Sequence, residues 1–214
     1  MNLHKKVKRG MFYLIVAVCS ILLLIGGGYW VYAAMTATDR KENDFQIGQV
    51  ETEIIEVFDD TRTEVKLDEV VQKDVLIKNT GTINQFIRVM VLAEVRAPIT
   101  GDPVNQQVLP LLIGTDLLLE NGATADWTNG QDGYYYYKKE AVEPNKKTSK
   151  LFESVRLSDQ LAARYQQAEL SITLKVETIN CSEFSYRDAW WQGTTPAQAP
   201  LKDVDDHLNG MTDN

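Results

Sequence analysis

Strict alternation of apolar and polar residues constrains this chain more than any other feature of its folded part. From Ile83 to Val95 the sequence reads INQFIRVMVLAEV, and Ile87, Val89, Val91, Ala93 and Val95 share one parity. Neighbouring side chains on a strand point to opposite faces, so this segment presents one apolar face. Val71 to Asn79 (VQKDVLIKN) repeats the pattern with Val71, Val75 and Ile77, and Leu170 to Ile179 repeats it with Ile172, Leu174 and Val176. Half-buried strands need a second layer to cover them, which points to packed sheets.

The remaining segments follow suit. Phe45 to Phe58 (FQIGQVETEIIEVF) reads as a strand with a bulge at Gly48. Asn79-Thr80-Gly81 is a turn signal, and Pro98 is expected to end the long strand before it. Val108 to Glu120 is apolar but interrupted by Pro110 and Gly114. Trp127 opens a hairpin-like unit: Asn129 to Gly133 supplies the turn, and Tyr134-Tyr135-Tyr136-Tyr137 the returning strand. Val142 to Asn145 is another turn, Leu151 to Leu157 another strand, and Ser158 to Ala168 a short helix. About eight short strands predict an all-β fold, a two-sheet antiparallel β-sandwich over residues 38–192. Residues 193–214 are polar and rich in Pro, Gly and Asp, and read as a disordered acidic tail.

Residues 1–37 stand apart. Lys5, Lys6, Lys8 and Arg9 precede an uncharged apolar run from Met11 to Ile25, then Gly26-Gly27-Gly28-Tyr29-Trp30 and Ala33-Ala34-Met35-Thr36-Ala37. A basic head, an apolar middle and a small-residue exit compose an export signal. The uncharged stretch to Ala37 is also long enough for a permanent transmembrane helix. The three glycines favour the signal reading, with cleavage near Ala33, Ala34 or Ala37. Cys19 lies within the apolar run and belongs to it. Removing this segment takes away four basic residues and no acidic ones, leaving 18 basic and 30 acidic, a formal charge of −12. Such a surface argues against nucleic acid, and the membrane is met only through the N-terminal segment. Cys181 is the one cysteine left, so no intrachain disulfide forms and the core alone must hold the domain.

Chemistry-bearing residues are scarce. His207 is the only histidine after residue 37, there is no HExxH pair, and Cys181 has no second histidine to activate it. No catalytic, cofactor or metal residues are assigned, and no phosphate loop or dinucleotide fingerprint exists. Asp126, Asn129 and Asp132 form an incomplete calcium ladder that an ordinary hairpin turn explains as well. Of the tyrosines, one alternate pair is expected to pack inward. The other would leave an aromatic strip which, with Trp127, makes a candidate interface. Trp190 and Trp191 are expected to cap one end of the sandwich, with the first the more buried.

Several pieces in order resemble one family. They are Gly26-Gly27-Gly28-Tyr29-Trp30 at the signal exit, Asp44-Phe45-Gln46-Ile47-Gly48, the Lys78–Gly81 turn into Phe86–Val95, and Trp127 with Asp132-Gly133 and the tyrosine run. Val142-Glu143-Pro144-Asn145, Leu151–Val155 and Val176–Ile179 with Ala189-Trp190 complete the set. Together they span most of residues 26–191 and resemble the TasA/camelysin family of Gram-positive exported proteins. The resemblance implies a jelly-roll sandwich, a signal cut by a dedicated SipW-type signal peptidase, and a secreted cell-surface or biofilm-matrix role. It also implies a fibre subunit: residues from about Ala34 to Gly48, including Thr38, Asp44, Phe45, Ile47 and Gly48, would add as a strand to the next copy. Some members of the family are regarded as metallopeptidases, but this chain lacks the ligands for a familiar zinc site.

The leading expectation is therefore a non-enzymatic structural protein whose main partner is itself, with matrix proteins or polysaccharide as further partners. A membrane-tethered adhesin or carbohydrate binder using Trp127 and Tyr134–Tyr137 is the alternative, and a surface peptidase the third.

Overall fold

The computed structural model describes residues 49–58, 64–166 and 168–213. The signal, the cleavage region at Ala33, Ala34 and Ala37, and the donor residues Thr38, Asp44, Phe45, Ile47 and Gly48 lie outside the described residues. So does the bulge expected at Gly48. No described helix is long and apolar enough to cross a membrane.

The described chain is mostly β, in two antiparallel sheets. Ten strands run in order: β1 (Thr52–Phe58), β2 (Glu64–Val65), β3 (Val70–Asn79), β4 (Gln85–Ile99), β5 (Asp102–Leu109), β6 (Leu117–Glu120), β7 (Trp127–Asn129), β8 (Tyr134–Tyr137), β9 (Phe152–Leu157) and β10 (Ala168–Asn180). One sheet has the order β1-β3-β9-β6; the other is β2-β10-β4-β8-β7, with β5 also pairing β4. Two short helices follow, α1 (Ser185–Trp191) and α2 (Leu201–Asn209).

Parity places the core as the alternation predicts. Val75 and Ile77 of β3 face Ile87, Val89, Val91 and Val95 of β4, with Phe152, Val155 and Leu157 of β9 beside them, and all are buried. Ile172, Leu174 and Val176 pack against this cluster but stay half-buried. Removing some ten such side chains from water, at about 1.5–3 kcal/mol each, is the main force holding the sheets together.

Three expectations need correction. The long strand does not stop at Pro98, because β4 runs to Ile99. Beyond Arg96 it has lost β10 as a neighbour and pairs with β5 alone, so a residue without an N–H is tolerated there. The helix expected over 158–168 is one 3₁₀ turn, Ala163–Tyr165. Trp190 and Trp191 are both half-buried and lie over Tyr136. Residues 193–214 are not a disordered tail: α2 buries Val204 and Leu208 against Tyr186, Phe86 and Tyr136. Leu201, Val204 and Leu208 recur at three and four residues, an apolar helical stripe hidden within a polar composition.

This helical cap explains an irregularity in β4. Residues 85–89 are buried at every position, although a sheet on a single core would bury alternate ones. The inner face carries Ile87 and Val89, while α1 and α2 cover Phe86 on the outer face.

Candidate functional site

The strand edges left without partners form the most distinctive surface. β10 pairs with β4 from Glu169 to Asn180 along one edge, but along the other it meets β2 only at Ala168 and Glu169. From Leu170 to Asn180 that second edge has no strand partner among the described residues. Beside it lies β1, the edge strand of the other sheet, paired with β3 alone. Ile54 and Glu56 of β1 with Ile172, Thr173 and Leu174 of β10 line an open cleft of about 500 Å³ between the two edges. Ile54, Ile172 and Leu174 give it apolar seats, with Glu56 and Thr173 between them. Glu56 is held by Lys73, whose Nζ is 3.0 Å away. Unpaired backbone groups above apolar side chains are what an added strand requires: hydrogen bonds from one, alternate side-chain seats from the other.

The two ends of the sandwich differ. The chain enters β1 at the end that carries the β3–β4 turn. There Gln49 N–H donates to Thr82 Oγ1 at 2.9 Å, Thr82 N–H returns to Gln49 O at 2.9 Å, and Thr80 and Gly81 N–H both donate to Glu51 O. Gly81 is required by this approach, since a Cβ at that position would stand 2.0 Å from Gln49 O. Asn79 locks the turn, donating to Ile83 O and Val142 O and accepting from Gly81 N–H and Gln85 Nε2. This near end therefore fixes where the N-terminal segment leaves the domain. The far end carries the β4–β5 hairpin and the β9–β10 connection.

The tyrosine strand falls into place differently from the exposed strip expected. β8 pairs with both β4 and β7, forming the hairpin that the Asn129–Gly133 turn predicted. Tyr135 and Tyr137 turn into the main core beside Trp127, whose indole N–H donates to Ser149 O at 3.1 Å. Tyr134 and Tyr136 turn outward, but the helical cap covers them. Tyr136 is 0% exposed, Tyr137 and Trp127 are buried, and Tyr134 and Tyr135 are half-buried. The candidate interface aromatics are thus packing residues on both faces of their strand.

A polar network joins strand and cap. Tyr136 OH donates to Asp132 Oδ2 at 2.6 Å and accepts from Arg88 Nη1 and Trp191 Nε1, both at 3.2 Å. Arg88 stacks 3.8 Å from the Tyr134 ring centre and clasps Glu177 at 2.6 and 2.9 Å. Tyr134 OH donates to Glu177 Oε1 at 2.8 Å. Burial opposes ionisation of Glu177, but hydrogen bonds from Lys175, Arg88 and Tyr134 outweigh it and hold the carboxyl down to about 2. Burial, reinforced by Asp132, pushes the Tyr136 phenol up to about 12. In the cap, Asp205 is buried and takes both Arg187 and Tyr186 OH.

The calcium reading finds its residues otherwise engaged. Asp126 pairs with Lys139 at 3.4 Å, Asn129 Oδ1 accepts from Gln131 N–H, and Asp132 accepts from Tyr134 N–H and Tyr136 OH. No group of three or more His, Cys, Asp or Glu placed to hold a metal occurs among the described residues. Cys181 sits just past the end of β10 and is 1% exposed; burial and the nearby Asp213 push its thiol up to about 12. His207 is exposed on α2, its Nδ1 against Asp203 O.

No family model matches this chain, and no curated protein or solved structure matches it either.

Proposed function

We propose that the protein is an exported structural subunit of the cell surface or biofilm matrix, a jelly-roll sandwich that polymerises by lending its N-terminal segment to the next copy. The observation that carries this reading is the edge of β10, unpartnered among the described residues, beside a cleft in which Ile54, Ile172 and Leu174 offer apolar seats. That edge runs for eleven residues, Leu170 to Asn180, and residues 38–48 are also eleven. Phe45 and Ile47 are two apart, the spacing of Ile172 and Leu174 in the cleft. Export is supported by the basic head and apolar run of residues 1–37, and cleavage there would free the donor.

Strand polarity is consistent with a filament. Residue 49 stands at the near end of its own subunit, so a donor reaching straight out meets the far end of the next. It then runs from residue 48 at that far end to residue 38 at the near end, and therefore, in chain direction, from near to far. β10 runs from far to near, so the added strand is antiparallel to it, as are all the strand pairs of the two sheets. Head-to-tail contacts of this kind generate an open filament wherever the rotation between copies does not close a ring.

The carbohydrate-binding alternative needs an exposed aromatic strip, and Tyr136 and Tyr137 are buried. The test is the mature protein with residues 38–47 deleted, compared with wild type by electron microscopy and sedimentation. The deletion abolishes polymers and leaves circular dichroism and thermal midpoint unchanged. Polymers that survive it would refute strand donation.

A further inference from the structure

The β4–β5 hairpin is the least explained part of the fold. Past Arg96, β4 has only β5 beside it, and β5 has no partner on its other edge among the described residues. All five residues from Val104 to Val108 are exposed, so both faces of β5 meet solvent there. Val104 is 87% exposed, Val108 57% and Ile99, across the turn, 39%. Ala97 still packs into the main core at the base of the ribbon; beyond it, from Pro98 to the turn, the two strands have little cover, and such a ribbon is marginal in water. Ile99, Val104 and Val108 contribute nothing to the sandwich core and are available to a surface outside the subunit.

We infer that this ribbon is a second contact between copies of the chain, a clasp that lies against the near end of the preceding subunit in the filament. The inference rests on the head-to-tail reading. Where the chain leaves the domain sets the occupant: the donor departs from Gln49 at the near end, and eleven residues cannot carry the next subunit away from it. The far end of that next subunit, with its ribbon, is thus held against the near end of the first. Charge fits the same pairing. The near-end loop carries Lys138, Lys146 and Lys147, for which no ion pair exists among the described residues, beside Glu140 and Glu143, while the far end presents Asp102 at the ribbon tip and Asp159 in the β9–β10 connection beside Arg96 and Arg164. Phe184, half exposed beside the cap, gives the near end an apolar contact.

The ribbon lies on the edge of β4 opposite β10. Donor and clasp therefore grip the junction from two sides. A single donated strand leaves the subunits free to swivel about it, and a second contact across the sheet removes that freedom.

The experiment compares mature wild type, the 38–47 deletion and the double variant Val104→Asp/Val108→Asp by sedimentation and electron microscopy, with thermal unfolding to show that each is folded. Both valines are exposed, so the double variant keeps its thermal midpoint. The expected result is a rise of tenfold or more in the concentration at which the double variant polymerises, with short, flexible polymers. Wild-type-like polymers from the double variant, alongside loss in the deletion, overturn the clasp and leave donation standing. Polymers that survive the deletion but not the double variant overturn donation and leave a ribbon contact between copies. A wild type that stays monomeric overturns both.

Discussion

Replacing Tyr136 with phenylalanine tests whether the C-terminal helices are part of the domain or merely rest on it. The ring stays, and with it the contacts to Trp190 and Trp191. Only the hydroxyl goes. It gives one charge-assisted hydrogen bond to Asp132, worth about 1.5–3 kcal/mol. It also accepts from Arg88 and Trp191. Arg88 keeps Glu177, so its loss is small, whereas the Trp191 indole N–H, part-buried, loses its acceptor at about 1 kcal/mol. Relief from burying the hydroxyl returns about 1 kcal/mol. The net cost is about 1.5–3 kcal/mol, or roughly 3–12 °C in thermal midpoint for a domain of this size. Urea unfolding followed by circular dichroism measures it, with Tyr134→Phe as the comparison: that hydroxyl serves Glu177 from a half-buried site and is worth about 1 kcal/mol. The double variant with Trp191→Phe should recover about 1 kcal/mol as coupling between strand and cap. A Tyr136→Phe protein within about 0.5 kcal/mol of wild type would refute the idea that this network ties the cap to the sheet.

Two further outcomes follow from the same region. Glu177 has a carboxyl held at about 2 against an ordinary value of 4.5, so its contribution is complete above pH 4.5 and is lost as pH falls towards 2. Glu177→Gln should lower the urea midpoint at pH 7 and flatten the decline between pH 4.5 and 2; parallel pH curves for the two proteins would contradict the assignment. Cys181, with its thiol near 12 and 1% exposed, should not react with a disulfide reagent at pH 8 in the native protein and should react at once in denaturant. Native-state labelling within seconds would mean that the cap opens far more readily than its packing allows.

Sequence patterns located the structure wherever one periodicity met one surface. The parity of Val75 and Ile77, of Ile87 to Val95 and of Ile172 to Val176 placed the core correctly, because each strand has a single inner face. The Asn129–Gly133 turn was legible for the same local reason: Gln131 and Gly133 both hold positive φ, and Asn and Asp beside them satisfy the backbone. The errors come from tertiary context. Tyr134 and Tyr136 alternate as a solvent-facing strip would, and only α1 and α2 make that face interior. The α2 stripe was hidden by composition, since Asp203, Asp205 and Asp206 surround Val204 and make a packed helix read as a tail. The free edge of β10 left no local signal at all. Whether a strand is an edge depends on which other strand lies beside it, and residues 170–180 would read identically in the middle of a sheet.

The lengths of the open edges say which of them can act. β6 ends one sheet and β7 the other, but they are four and three residues long. Edges so short offer few hydrogen bonds and are poor templates. The cap reaches over the β7–β8 turn as well, because Leu201 of α2 packs within 2.9 Å of where a Cβ on Gly130 would stand. That side of the molecule is therefore closed to strand addition by shortness and by cover. The long open edges are β10 and β1, which share one cleft, and β5 on the ribbon. They lie at opposite sides of β4. Among the described residues the long edges therefore offer two places, the cleft shared by β10 and β1 with its apolar seats and β5 with its exposed valines, and these are the two places that the proposed assembly uses. Aggregation by arbitrary edge pairing would need neither the apolar seats of Ile54, Ile172 and Leu174 beside the β10 edge nor the tight anchoring of Gln49 and Glu51 to the Asn79–Thr82 turn, and the proposed donation uses both.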